Sequence, residues 1–252
     1  MRTIISKLAA NDRLKNIIFG NKALYYVFII ARFKIKTLSD KSGISKKDIA
    51  KMLPKNPVVV EIGAYTGGDT VEMALLWPKG EIYAFEPVPE IFGRLKFKTR
   101  FLKNIHIFNF AVSDSDVDER QMFVSNNGCS SSLLEPTGEH LKEFTTVSFD
   151  SSIKVKNIKL SDWARINNVE RIDFLWIDAQ GMELKIFRSA GDFIRKIKLI
   201  YTEVSLKEFY KESDNYEELK KYLARYGFEL YKDDLLPGAS MGNALFINKF
   251  YE

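Results

Sequence analysis

One cysteine, two histidines and no long apolar run limit what this 252-residue chain can be. Cys129 has no internal partner, so a disulfide framework is excluded and a reducing compartment is expected. The best apolar stretch, residues 23–31, is half of the roughly 18 residues that a membrane helix needs. Lys7, Asp12, Arg13 and Lys15 interrupt any apolar core of a signal peptide. A cytoplasmic location is therefore expected, with peripheral membrane contact left open. Seven Pro and fourteen Gly are too few for a collagen-like or low-complexity chain. A G-x-G-x-x-G fingerprint is missing too. The comparable loop reads Gly63-x-x-x-Gly67, so a nicotinamide oxidoreductase lacks its expected spacing.

What is present is unevenly distributed. Residues 1–55 carry thirteen Lys/Arg against Asp12, Asp40 and Asp48, while the remainder of the chain has a slight acidic excess. A basic arm on a mildly acidic body suits an anionic partner: a membrane surface, a phosphate-linked substrate or nucleic acid. A solvated helical appendage is the plainer alternative. Within the arm, Leu24, Tyr25, Val27, Phe28, Ile29 and Ile30 form an apolar patch, read as a helix that packs on the main domain or on a partner subunit. Pro54 and Pro57 bracket the change of pattern, which gives a basic helical arm over 1–54 and a main domain over 55–252.

In the main domain short apolar runs alternate with amphipathic stretches. Strands are expected at 58–62, 82–85, 105–110, 172–177 and 199–204, with two more at 228–231 and 244–247. Helices are expected at 70–77, 90–101, after 183 and at 216–226, and a less regular insert at 113–160. This alternation predicts an α/β fold: a doubly wound, mostly parallel sheet whose last two strands pair antiparallel. Ligands of such sheets bind beyond the carboxyl ends of the strands.

The residues just past each strand end are therefore the candidate site. Gly63 and Gly67 let the backbone turn sharply and approach a ligand. Glu86 lies 23 residues after Gly63, where a carboxylate takes a ribose diol through two charge-assisted hydrogen bonds. The small residues after the third strand, Ala111-Val112-Ser113-Asp114, leave room for an adenine ring. Asp178 falls at the mouth of the central cleft, where burial of its carboxylate calls for a cationic partner.

These residues carry a resemblance. Glu61-Ile62-Gly63-Ala64-x-x-Gly67-x-x-Thr70, Tyr83-Ala84-Phe85-Glu86-Pro87, Ala111-Val112-Ser113-Asp114, Gly128-x-Ser130-Ser131-Ser132-Leu133 and Ile172-Asp173-Phe174-Leu175-x-Ile177-Asp178-x-x-Gly181-x-Glu183 occur in order over 57–205. As a set they resemble the FkbM-type S-adenosylmethionine-dependent methyltransferases. Asp178-Ala179-Gln180-Gly181 replaces the more usual Asp-Val-Glu-Gly, and Tyr65 stands where Asn is common. The resemblance implies a Rossmann-like class I sheet and S-adenosylmethionine as cofactor. It implies that Glu61, Gly63, Ala64, Tyr65, Gly67 and Thr70 form the loop for its methionine end. Glu86 and Pro87 would meet the ribose, Ala111 and Val112 the adenine, and Asp178 the sulfonium side. It also implies a hydroxyl acceptor on a sugar, glycan or related metabolite.

An alcohol nucleophile needs a base. His106 falls inside a strand and reads as structural; His140 lies in the insert, within reach of a site. Asp178, Glu183 and Glu203 are the better candidates, one as base, or two holding a divalent cation that acidifies the hydroxyl. Ser130, Ser131 and Ser132 read either as a flexible loop able to close over substrate or as a plain surface loop, and Cys129 as a spectator thiol. A nucleic-acid methyltransferase would use the basic arm, but the fourth strand lacks the Pro-Pro-aromatic motif of amino-methylating enzymes. A non-catalytic cofactor-binding scaffold is the remaining alternative, motivated by the altered Asp-Ala-Gln-Gly stretch.

Overall fold

The computed structural model describes residues 20–39 and 43–251. The chain divides into two units, Met1–Ser45 and Lys46–Glu252. In the first, helix α1 (Lys22–Ser39) starts where the Asn21 side chain accepts the N–H groups of Ala23 and Leu24 at 2.9 and 3.2 Å. The second unit begins with α2 (Lys46–Lys51), whose Lys46 bonds Asp69 at 2.7 Å and Glu72 at 3.3 Å.

In the second unit, β1 (Val58–Ile62), α3 (Gly68–Leu76), β2 (Glu81–Phe85), α4 (Pro89–Thr99) and β3 (Ile105–Phe108) form one half of the sheet. After the insert, α6 (Leu160–Ile166), β7 (Ile172–Ile177), α7 (Glu183–Ala190), β8 (Ile197–Ser205), α8 (Tyr216–Ala224), β9 (Phe228–Asp233) and β10 (Met241–Asn248) complete it. The strand order is β3-β2-β1-β7-β8-β10-β9. The pairs from β3 to β8 are parallel, and β10 runs antiparallel to both its neighbours. The central strands are continuous apolar runs because helices cover both faces. Trp163 of α6 is buried, with Tyr83, Phe85 and Phe108 meeting it edge-on at centroid distances of 5.2, 5.1 and 5.6 Å.

The insert is more ordered than its composition suggests. It contains β4 (Ala111–Val112), β5 (Glu119–Val124), α5 (Gly138–Glu143) and β6 (Ser151–Ile158), and the strands form a second sheet in the order β4-β6-β5. Both faces of β6 carry polar residues, and Val155 and Asn157 are its buried positions. That thin apolar signal is why the sequence reads as irregular.

Register sets the site. Ile62 is level with Phe85 on one side and Ile177 on the other. Gly63, Glu86 and Asp178 therefore leave three adjacent strands at one edge, where the strand order reverses. The N–H of Gly63 bonds Phe85 O at 3.1 Å, and that of Asp178 bonds Ile62 O at 3.0 Å.

Beneath this edge Glu61 is buried, its carboxyl accepting the Thr70 hydroxyl at 2.5 Å. Burial first, and the charge of Asp69 second, push its pKa from 4.5 up to about 8. The folded chain thus holds a proton that the unfolded chain releases above about 4.5, so the contribution of Glu61 to stability is full at low pH and is lost as pH rises towards 8. Glu61→Gln keeps an acceptor for Thr70 and removes the ionisation. Its melting temperature should match that of the wild type below pH ~4 and exceed it above pH ~8, by up to a few kcal/mol in stability; parallel profiles would show that Glu61 titrates normally.

Candidate functional site

A cavity of about 250 Å³ opens at the reversal point. Gly63, Ala64 and Tyr65 line it from the first loop, Glu86 and Pro87 from the second, Ala111 and Val112 from the third, and Asp178 from the fourth. Glu61, Gly67 and Thr70 do not line it. Glu61 and Thr70 pair behind the loop, and Gly67 caps α3 with φ 77°, where a Cβ would stand 2.6 Å from Leu95. Those three hold the loop in shape.

Gly63 has φ 90°, and a Cβ built on it would lie 1.8 Å from the carbonyl oxygen of Asp178. Backbone meets backbone there, so a side chain is excluded on two counts. Glu86 is buried, its carboxylate accepting the Val88 N–H at 2.8 Å, and burial raises its pKa to about 7. Phe85, Phe110, Val112, Met122 and Leu133 give the cavity an apolar wall beside this acid.

Met122 and Leu133 come from the insert. Phe123 of β5 and Ser132 exchange backbone hydrogen bonds of 2.8 and 3.0 Å, which bring Met122 and Leu133 to the cavity. Ser131 and Ser132 are buried. Ser131 Oγ donates to Gly128 O at 2.8 Å and accepts the Ser125 N–H at 3.0 Å, and Ser132 Oγ donates to Gln180 O at 2.7 Å. These bonds anchor the turn.

A second cavity, of about 240 Å³, adjoins the first and shares Cys129, Asp178 and Gln180 with it. Glu183 and Glu203 reach this one. Oε1 of Glu183 accepts the N–H groups of Ala179 and Gly181 at 3.1 and 3.3 Å, so Glu183 fastens the turn that presents Asp178. Burial raises the pKa values of Asp178, Glu183 and Glu203, and nearby charge adds to it: Asp69 at Asp178, Asp178 at Glu183, and both Asp178 and Glu183 at Glu203. Asp178 nevertheless keeps solvent contact through the cavities.

Gln180 ties this end together. Its Nε2 donates to Asp178 Oδ1 at 2.7 Å and to Glu203 Oε2 at 3.0 Å, while its Oε1 accepts the Tyr210 hydroxyl at 3.0 Å. It holds a left-handed backbone, φ 52°, unusual without a glycine. The amide occupies the bridging place between the two carboxylates where a cation would have to sit. Among the described residues no group of three or more His, Cys, Asp or Glu side chains is arranged for a metal ion. Of the two alternatives read from the sequence, a divalent cation held by two of these carboxylates does not fit these residues.

His106 is exposed on β3 and bonds Glu81 at 2.6 Å, away from both cavities, as its strand position implies. His140 is buried, lines the second cavity, and lies 3.3 Å from the Tyr210 hydroxyl through Nε2. Sequence reasoning missed Gln180 and Tyr210 as a linked pair. Tyr210 lies in the loop beyond β8, so applying the strand-end rule to that strand as well would have found it.

Comparison with known proteins agrees with this geometry. The model of the FkbM methyltransferase domain matches residues 61–230. The 2-O-methyltransferase NoeI of Sinorhizobium fredii is 32% identical over 174 residues, 66% of this chain and 70% of that protein. Methyltransferase sdnD of Sordaria araneosa is 27% identical over 167 residues, 58% of this chain and 64% of that protein. Among solved structures, methyltransferase FkbM from Methylobacillus flagellatus shares the fold, with a TM-score of 0.50 at 11% identity, covering 94% of this chain and 60% of that one. With the family model spanning well over half its length, the chain belongs to the FkbM methyltransferase family.

Proposed function

We propose that the protein transfers a methyl group from S-adenosylmethionine to a hydroxyl of a sugar or glycan. The observation that carries this reading is the convergence of Gly63, Glu86 and Asp178 at one edge of the sheet, beside an apolar slot and next to a second cavity. The residues fit the cofactor: a backbone without Cβ for close approach, a buried acid for a diol, a hydrophobic wall for a base, and Asp178 for the positive charge. When bound, S-adenosylmethionine supplies an electrophilic methyl on a sulfonium. The 2-O-methyltransferase activity in the name of the Sinorhizobium relative supports a hydroxyl acceptor.

The chain's own work is to align the acceptor and take its proton. Asp178 borders both cavities, so its carboxylate receives the hydroxyl proton while the oxygen gains the methyl. Positive charge beside Asp178 before transfer favours its ionised form, and the loss of that charge on transfer lets it stay protonated. Gln180 holds Asp178 and Glu203 in place, and Glu203 shares the proton load.

Incubation with methyl-labelled S-adenosylmethionine and a panel of neutral oligosaccharides should label an acceptor. With that acceptor, Asp178→Asn should lower kcat about 10²–10⁴-fold and leave affinity for S-adenosylhomocysteine within about threefold, an order-of-magnitude expectation for a neutral ligand. Unchanged turnover would move the base elsewhere.

The arm carries a separate proposal. Among the described residues no helix is long and apolar enough to cross a membrane. On α1, however, Leu24, Val27 and Ile30 are exposed at one-turn spacing, within a segment rich in Lys and Arg. We infer that this arm rests on an anionic membrane surface. The full chain should sediment with phosphatidylserine-containing vesicles, not with phosphatidylcholine alone, and salt should weaken the association. Equal, salt-insensitive binding to both would contradict this.

A further inference from the structure

One hydrogen bond joins the two sides of the first cavity. Tyr65, in the loop after β1, donates its hydroxyl to the backbone carbonyl of Asn127, 62 residues along the chain, at 3.0 Å. Asn127 and Gly128 belong to the turn that follows β5, and Tyr65 and Gly128 both line the cavity. The tyrosine side chain thus spans from the first loop to the insert. Gly128 makes that approach possible: a Cβ there would stand 3.3 Å from Tyr65 Cε2 and 2.9 Å from Ile91 Cδ1.

The two ends of this span are held differently. On the insert side the turn is braced within itself. Asn127 Oδ1 accepts the Ser125 hydroxyl at 2.8 Å and the Ser130 N–H at 3.1 Å, and the Gly128 N–H bonds Ser125 O at 2.9 Å. On the other side Tyr65 has a left-handed backbone, φ 49°, which an aromatic residue keeps only where its surroundings impose it. Its backbone N–H faces the Glu86 carboxylate and favours the ionised form, which places Tyr65 on the ribose side of the cavity. Its side chain is exposed at the rim.

We propose that Tyr65 is a clasp across the ribose side of the cofactor cavity: it fastens the first loop to the insert turn, and the cofactor and its product pass when the bond to Asn127 opens. The proposal rests on the S-adenosylmethionine reading for the identity of the ligand, and on the protein alone for the contact. The turn is braced, so the tyrosine ring is the part that swings. The bond joins two protein groups and forms with the cavity filled or empty. Breaking it therefore costs the same on entry and on exit. The clasp slows both rates by one factor and leaves the equilibrium affinity to the other contacts of the cavity.

Stopped-flow mixing of the full chain with S-adenosylhomocysteine tests this, read by tryptophan fluorescence, to which Trp176 in the cavity wall contributes. Tyr65→Phe keeps the ring and removes the bond. Association and dissociation should each rise about threefold to tenfold, the scale of one neutral hydrogen bond, with their ratio constant within about twofold. Tyr65→Asn suits the left-handed backbone, removes the ring as well, and should raise the dissociation rate further. Without ligand, amide hydrogen exchange over residues 63–67 should be faster in Tyr65→Phe than in the wild type. Unchanged rates in Tyr65→Phe, or a rise in dissociation alone, would overturn the proposal. If the wild-type chain takes up no S-adenosylhomocysteine, the cofactor reading fails, and equal hydrogen exchange in the two proteins would then overturn the clasp as well.

Discussion

The site depends on the contact between two backbones at the centre of the sheet. Gly63, leaving β1, lies against the carbonyl of Asp178, leaving β7, so closely that no Cβ fits between them. Parallel pairing of β1 with β2 and β7 in level register brings three loops out together, and the missing side chain at Gly63 lets two of them touch. Glu86 joins from the loop after β2, its N–H bonded to Phe108 O at 3.1 Å. The turn after β7 is then held from behind by Glu183, through the N–H groups of Ala179 and Gly181. A shift of any of these strands by one residue would turn the cluster away from the cavity.

Upon this frame Gln180 organises the acidic end. A carboxylate at that position would place a third negative charge between Asp178 and Glu203. The amide donates to both instead and accepts the Tyr210 hydroxyl, which also reaches Ser130 O and lies against His140 Nε2. Its left-handed backbone is held by Ser132, whose hydroxyl donates to its carbonyl. Strain at one residue is thus offset by contacts from the insert, and the same residue joins the two cavities.

Much of this was legible in the sequence because the buried parallel strands are unbroken apolar runs. Val58–Ile62 and Ile172–Ile177 read correctly to the residue, and the strand-end rule then located Gly63, Glu86 and Asp178. Strand β6 was not legible, because it buries few positions and alternates Ile153 and Val155 with lysines in a serine-rich setting. The roles of Glu61 and Thr70 were misplaced for another reason. A motif residue can serve a loop from behind, and sequence spacing does not tell front from back. The ordering of Ser131 and Ser132 and the link from Gln180 to Tyr210 depend on loops that meet only after folding.

The proposed function requires the edge formed by Gly63, Glu86 and Asp178 to bind an adenosyl sulfur compound, and every proposed step depends on that binding. Isothermal titration of the full chain with S-adenosylhomocysteine, with NADH as control, tests it most directly. Binding of S-adenosylhomocysteine alone is expected, weakened by roughly 1.5–3 kcal/mol in Glu86→Ala as a charge-assisted hydrogen bond is lost. Absence of binding, or an unchanged affinity in Glu86→Ala, would contradict it.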